Sequence, residues 1–152
     1  MQQKHVPALV AMWTDDMNTK FMGGPRKVDD LKKSFAEDIG NMDKYELWPV
    51  CSRQSGNVVG YSGIIPKLVD GVEMIELIYL IDKNHCHNGY GFEISAALIC
   101  HARNTLNLTE LIAIVEPENV ASVRLAKKLK FNFDRLIVRD NGMEKHLYRL
   151  KL

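Results

Sequence analysis

The segment Cys86-His87-Asn88-Gly89-Tyr90-Gly91 joins a run that predicts a buried strand, residues 76–82, to a run that predicts a helix, residues 92–105. A strand, a glycine turn and a helix start in this order are typical of an anion-binding site. Successive backbone N–H groups in such a turn point the same way, and the positive end of the helix dipole adds to their field. The two glycines allow a ligand to approach the main chain closely. The segment therefore predicts a turn that holds phosphate.

Composition restricts the class of protein. A chain of 152 residues with 46% hydrophobic residues predicts a single domain spanning residues 1–152. Its formal net charge of +1 supplies no field for nucleic acid or an anionic membrane, so we expect neither partner. Three cysteines without framework spacing fit a reducing compartment. With no membrane-length apolar run and no signal peptide at residues 1–5, we expect a cytoplasmic protein.

The first forty residues predict two helices. Pro7 suits a first helical position, and helical spacing over residues 7–18 puts four apolar side chains on one face: Leu9, Val10, Trp13 and Met17. Residues 21–25 break this helix. Helical spacing resumes over residues 29–38 and ends at Gly40, where a C-terminal cap belongs.

The period then changes to that of strands. Residues 45–51 and 58–65 flank a turn-like stretch at 54–57 and predict a hairpin. Asp70-Gly71 predicts a second tight turn, followed by a strand over residues 72–81. Because residues 77–81 are almost wholly apolar, we expect this strand to lie in the middle of the sheet.

The C-terminal half predicts a mixed sheet. A helix over residues 90–105 leads to a strand at 111–115 and a helix at 119–130. This β–α–β–α order implies parallel neighbours with a right-handed crossover. A closing hairpin is predicted from residues 131–138 and 145–152 across Asp140-Asn141-Gly142. The fold class is therefore α/β, of the α+β type with a mixed sheet.

Three motifs carry a family resemblance. They are the glutamate-led strand of residues 76–82, the turn Asn88-Gly89-Tyr90-Gly91-Phe92-Glu93, and residues 118–131, where Glu-Asn-x-x-Ser precedes Lys-x-Lys-Phe. Together they resemble the GNAT superfamily of N-acetyltransferases, in particular its RimJ/RimL-type branch. The resemblance implies a GNAT-like acyl-CoA N-acyltransferase fold. Nothing ahead of Pro7 supplies the usual first strand of that fold, so either the sheet lacks this strand or a partner chain supplies it.

The resemblance also implies a co-substrate and an acceptor. Acetyl-CoA would lie with its pyrophosphate on the turn and its pantetheine along the central strand. The implied cofactor-binding residues are Leu80, Ile81, Cys86, His87, Asn88, Gly89, Tyr90, Gly91 and Asn119. The acetyl group would pass directly to a primary amine of a small molecule or peptide in a ternary complex. The acceptor's identity and the oligomeric state stay open, a homodimer being one alternative.

Two residues are candidates for catalysis. Glu76 is a candidate base for the amine, and its alternatives are a solvent-facing carboxylate or a strand-end ion pair. By the resemblance Ser122 is the candidate acid, and its alternative is a helix N-terminal residue bonding the cap. Asn119 after Pro117-Glu118 predicts a helix N-cap even without a ligand.

Departures from the family pattern support a rival function. Cys86 stands where the family has Arg or Gln, Ala126 where many members have a tyrosine, and Lys130 where glycine normally precedes the final Phe. The rival is a non-catalytic acyl-CoA-binding sensor or interaction domain of the same fold. We expect no metal, because His85-Cys86-His87 is followed by no further ligand at metal spacing.

Overall fold

The computed structural model describes residues 1–40, 45–139 and 142–152. Its α-helices are α1 (Val6–Thr14), α2 (Asp16–Thr19), α3 (Val28–Asp38), α4 (Tyr90–Asn104) and α5 (Val120–Lys128). Its strands are β1 (Leu47–Cys51), β2 (Val58–Val69), β3 (Val72–Ile81), β4 (Glu110–Val115), β5 (Asn132–Val138) and β6 (Glu144–Lys151). Single 3₁₀ turns cover Gln3–His5 and Lys83–His85.

The described strands form one mixed sheet in the order β1-β2-β3-β4-β6-β5. β3 and β4 run parallel, with Glu76 paired with Ile112, whereas β1/β2, β4/β6 and β5/β6 are antiparallel. The predicted mixed sheet and the interior position of β3 are therefore confirmed. Residues 1–40 contain no strand, in line with the expected lack of one before the first helix.

The chain divides into two compact units. The first unit, Met1–Gly63 with Tyr79–Tyr90, has a core in which Leu9 is fully buried and Phe35 meets the Tyr61 ring edge-on at 5.7 Å. The second unit, Ile64–Ile78 with Gly91–Leu152, has a core of Val69, Ile112, Ile137 and Leu147.

The continuous helix predicted over residues 7–18 is wrong. Asp15 adopts an extended conformation that ends α1, and its carboxylate accepts a hydrogen bond from Asn18 N at 3.0 Å to start α2. An aspartate at an N-cap position competes well with a helix interior. Met17 consequently leaves the apolar face and is 68% exposed.

The strand bounds also differ from the prediction. β1 begins at Leu47 rather than Tyr45, and β2 continues through Pro66 to Val69 instead of ending at Ile65. The two-residue turn at Asp70-Gly71 is confirmed, with φ of 50° and 79°. In the last hairpin Gly142 has φ of 78°, while the predicted turn residues Asp140 and Asn141 lie outside the described residues.

Candidate functional site

The predicted turn follows the end of β3 in the first unit. Asp82 closes the strand, and its Oδ1 accepts a hydrogen bond from Asn84 N at 2.8 Å, which starts the 3₁₀ turn of Lys83–His85. The carboxylate thereby fixes the direction in which the chain leaves the sheet. Helix α4 then begins at Tyr90, so the four residues 86–89 separate the 3₁₀ turn from α4.

Two of these four residues have a backbone in the left-handed region. His87 and Gly89 have φ of 65° and 84°, and a Cβ at Gly89 would meet nothing within 4 Å. Within the described residues, no hydrogen bond engages the backbone N–H of His87 or of Gly89. Asn88 Nδ2 donates to the carbonyls of His85 and Cys86, at 3.2 and 3.3 Å. The turn thus keeps amide donors available beside open space.

Cys86 directs its thiol back toward the strand. Its Sγ lies 3.8 Å from the Ile81 carbonyl oxygen and 3.5 Å from that of Asp82. Partial burial, followed by the nearby Asp82 charge, raises the pKa of this thiol above its ordinary value. A protonated thiol bonded to carbonyls is a poor nucleophile.

Asn18 links α2 to the start of the turn, a contact that the sequence did not reveal. Its Oδ1 accepts from Lys83 N at 2.7 Å, and its Nδ2 donates to Asp82 Oδ2 at 3.4 Å. Lys83 also forms an ion pair with Asp15. The only local signal was the Asp15-x-x-Asn18 capping spacing, which does not indicate a partner 65 residues away.

β2 packs closely on the last residues of β3. A Cβ at Gly60 would lie 2.6 Å from the Leu80 carbonyl oxygen and 2.8 Å from Ile81 Cδ1. The glycine is therefore required by the close approach of the two strands. Leu80 is 6% exposed, whereas Ile81 is half-buried.

Glu76 is a buried carboxylate in the second unit. It is 6% exposed, which excludes the solvent-facing alternative. Desolvation raises its pKa above the ordinary value, although Lys67, Arg139, a hydrogen bond from the Ile114 backbone and Lys145 each act in the opposite direction. A carboxyl whose pKa moves toward neutrality is a better general base than an exposed one.

Asn119 and Ser122 lie together at the start of α5. Asn119 Oδ1 accepts a hydrogen bond from Ser122 N at 3.1 Å, so Asn119 is the helix N-cap, as predicted. Ala126, where many family members carry a tyrosine, is 5% exposed.

The predicted site residues thus fall into two groups. Residues Leu80, Ile81 and those from Cys86 to Tyr90 belong to the first unit, whereas Glu76, Gly91, Asn119 and Ser122 belong to the second. Within the second unit, Asn119 and Ser122 are in direct contact. None of the site residues lines the two cavities described for the chain, of about 350 and 500 Å³.

No helix within residues 1–40, 45–139 and 142–152 combines the length and the apolar character that crossing a bilayer requires.

Comparison with known proteins gives a family match over most of the chain. Residues 1–132 match the family model described as Acetyltransferase (GNAT) domain. A curated relative, the uncharacterized protein YkkB of Bacillus subtilis, is 28% identical over 91 residues, which cover 60% of this chain. The chain spans only 53% of that relative's length.

Solved structures share the fold. An acetyltransferase from Agrobacterium tumefaciens superposes with a TM-score of 0.82 at 24% identity, covering 100% of this chain and 88% of that one. A ribosomal-protein-alanine N-acetyltransferase from Brucella melitensis gives 0.77 at 21% identity, covering 100% and 97%. These likenesses confirm the predicted fold class.

Proposed function

Because this chain belongs to the GNAT acetyltransferase family, we propose that it transfers the acetyl group of acetyl-CoA to a primary amine of a small molecule or peptide. The amine attacks directly in a ternary complex. The observation that carries the proposal is the turn at Cys86–Gly89, where the amides of His87 and Gly89 have no partner among the described residues. The motif Asn119-x-x-Ser122 and the fold of the Brucella melitensis enzyme favour the RimJ/RimL-type branch.

The turn fits a diphosphate. Gly89 has an open surface where a side chain would stand, and backbone N–H groups at a helix start are suitable donors for phosphate oxygens. Residues 86–91 would hold the pyrophosphate, and Leu80, Ile81 and Asn119 would contact the pantetheine. Acetyl-CoA supplies an activated acetyl thioester when it is bound. The chain's own contribution is to hold and orient this ester.

Glu76 is assigned the role of general base. An alkyl amine with a pKa of ~10.4 is protonated at neutral pH, so it must lose a proton before its nitrogen attacks a carbonyl carbon. Burial of Glu76 raises its pKa and so favours acceptance of that proton.

Ser122 is assigned the role of acid toward the leaving sulfur. The C–S bond breaks as the amide C–N bond forms, and the departing thiolate, with a pKa of ~8.5, takes the hydroxyl proton of Ser122. The second proton of the amine nitrogen replaces the proton that Ser122 gives up, so the serine ends neutral. Thiolates leave readily, so we expect this residue to contribute less than Glu76. Asn119 supports Ser122 by fixing the first turn of α5.

The environment of Cys86 does not favour transfer of the acetyl group through an acyl-cysteine intermediate. Its thiol contacts carbonyl oxygens and its pKa is raised, so it lacks the thiolate character that an acyl-enzyme requires. Direct attack by the amine needs no covalent intermediate.

The test compares two glycines that have similar positive φ. Gly89→Ala places a Cβ at φ 84°, and Gly56→Ala places one at φ 73° in the β1/β2 turn. Both variants should lose some stability because alanine resists positive φ. Only Gly89→Ala should also lose acetyl-CoA binding, measured by calorimetry, and acetyl transfer, measured as free thiol release with a panel of amines.

Three outcomes are informative. Unchanged acetyl-CoA affinity in Gly89→Ala would remove the turn from the cofactor site. Binding of acetyl-CoA without thiol release from any amine would favour the non-catalytic sensor. Absence of acetyl-CoA binding by the unmodified chain would reject both functions.

A further inference from the structure

A cavity of about 500 Å³ in the second unit contains none of the residues assigned above. It is formed by the end of β2 with its turn, Pro66–Gly71, and by the end of β5 with the next residue, Ile137–Arg139. Its volume is in the range of sites that hold small metabolites. The β5 side of the cavity lies outside the family-matched range of 1–132, so this part of the chain is not described by the family model.

Two cations of this cavity form no ion pair with a carboxylate of the described residues. Lys67 and Arg139 line the cavity, and neither lies within 4.0 Å of a carboxylate oxygen in the part of the chain that the structure describes. The third charged residue of the lining, Asp70, is bound to Arg135 at 2.8 Å. Among the described residues that line it, the cavity therefore carries more positive than negative charge.

The nearest buried carboxylate does not remove this excess. Glu76 interacts electrostatically with Lys67, Arg139 and Lys145, three cations facing one acid. Lys145 is ion-paired with Glu116, and both side chains are mostly buried. Lys67 and Arg139 are therefore available to bind an additional anion. Both lie close enough to Glu76 to affect its ionisation.

The rim of the cavity is apolar. Leu68 and Val138 are 68% and 65% exposed and belong to its lining. Exposed aliphatic side chains beside an arginine and a lysine suit a ligand with a short apolar body and one anionic group. The planar guanidinium of Arg139 favours carboxylate or phosphoryl oxygens, which it can bind in bidentate geometry.

We propose that Lys67 and Arg139 form an acceptor subsite that binds a carboxylate or phosphoryl group carried beside the reacting amine. The substrate class is then small amines of the amino acid type, with an apolar side chain on Leu68 and Val138. This assignment rests on the proposed function. Lys67 and Arg139 also lie near Glu76, so an anionic group bound to them would be held beside the candidate base.

The experiment measures thiol release from acetyl-CoA with matched acceptors. Leucine, its phosphonate analogue 1-amino-3-methylbutylphosphonate and the decarboxylated amine 3-methylbutylamine share one apolar body and differ in the anionic group. Leucine or the phosphonate should exceed 3-methylbutylamine in kcat/KM by about tenfold or more. The better of the two anions identifies the natural group.

Variants locate the effect in the cavity. Arg139→Gln and Lys67→Gln should each lower kcat/KM for the anionic acceptor by about tenfold, mainly through KM. Because both cations also lower the pKa of Glu76, the comparison is made at a pH well above the folded pKa of Glu76, where kcat/KM for 3-methylbutylamine should change much less. Arg53→Gln, which removes one positive charge from the exposed β1/β2 turn, is the matched control and should have no effect. Circular dichroism of each variant establishes that it is folded.

The results separate this inference from the proposed function. Equal use of acids and the decarboxylated amine, or equal losses on both in Arg139→Gln, would overturn the subsite while acetyl transfer stands. If no amine releases thiol, the proposed function fails, and calorimetry with leucine then tests the cavity alone. Binding that is lost in Arg139→Gln supports the anion subsite, and no binding rejects it.

Discussion

Burial of Glu76 has a cost in stability as well as a proposed role in catalysis, and the two effects are separable by pH. Its pKa is raised in the folded chain, so the folded state binds more protons than the unfolded state between the unfolded and folded pKa values. The contribution of Glu76 to the free energy of unfolding is therefore greatest at low pH and is lost as the pH rises through the folded pKa. Above the folded pKa the buried charge of Glu76 destabilises the fold.

We predict that Glu76→Gln raises the midpoint of thermal unfolding at pH 7.5 and lowers kcat by about 10²–10⁴-fold, the usual contribution of a general base. The stability gain should shrink as the pH is lowered through the folded pKa of Glu76, because the wild-type carboxyl then becomes neutral as well. Glu73→Gln, at an exposed position of the same strand, is the control and should change neither quantity. Wild-type kcat in Glu76→Gln would exclude the base.

At the scale of single elements, the end of α5 shows how a departure from the family pattern is accommodated. Lys130 has φ of 69°, its N–H donates to the Lys127 carbonyl, and the Phe131 N–H donates to that of Ala126 at 3.0 Å. These bonds form a Schellman motif, which normally has glycine at the position of Lys130. The backbone keeps the family's cap and strains a lysine to do so.

Lys130→Gly should therefore stabilise the chain by about 0.5–1 kcal/mol, because the strain of a left-handed residue exceeds the added entropy of the unfolded glycine. Urea unfolding should show a higher midpoint at unchanged slope. Lys127→Gly removes the same charge inside α5 and should instead destabilise by about 0.5–1 kcal/mol. A lower midpoint for Lys130→Gly would mean that the lysine makes a stabilising contact that outweighs the strain.

The sequence predicted elements best where local signals agree. The turn at Asp70-Gly71 and the cap at Asn119 depend on residues adjacent in the sequence, and both are confirmed. Helical spacing failed at Met17 because the Asp15 cap restarts the helix. The predicted end of β2 at Ile65 was wrong because the strand continues through Pro66, which is exposed.

The candidate site was only partly predictable for the same reason. Asn18 and Lys83 are 65 residues apart, and their contact depends on the folded chain rather than on a local pattern. Arg139 carried no motif, and its relation to Lys67 arises because the ends of β2 and β5 line one cavity. The turn at Cys86–Gly91 was predictable because its proposed function depends on consecutive backbone groups.

For the whole molecule, a ligand that binds only the folded state adds RT ln(1 + [L]/Kd) to the free energy of unfolding. Acetyl-CoA at about 100 times its Kd would add about 2.7 kcal/mol. A chain of this length gains about 2–4 °C in Tm per kcal/mol, so the expected shift is about 5–11 °C. This shift measures the binding of acetyl-CoA and does not depend on the amine.

Cys86→Arg should increase that shift. The thiol of Cys86 contacts the carbonyls of Ile81 and Asp82, whereas a guanidinium at this position would add charged donors to the turn. A charged hydrogen bond contributes about 1.5–3 kcal/mol, which corresponds to at least tenfold tighter acetyl-CoA binding by calorimetry. Cys86→Ser, which retains a small side chain, should bind like the wild type. Equal affinities for the arginine and serine variants would show that the first residue of the turn does not face the diphosphate, because a long cation cannot approach one without strengthening its binding.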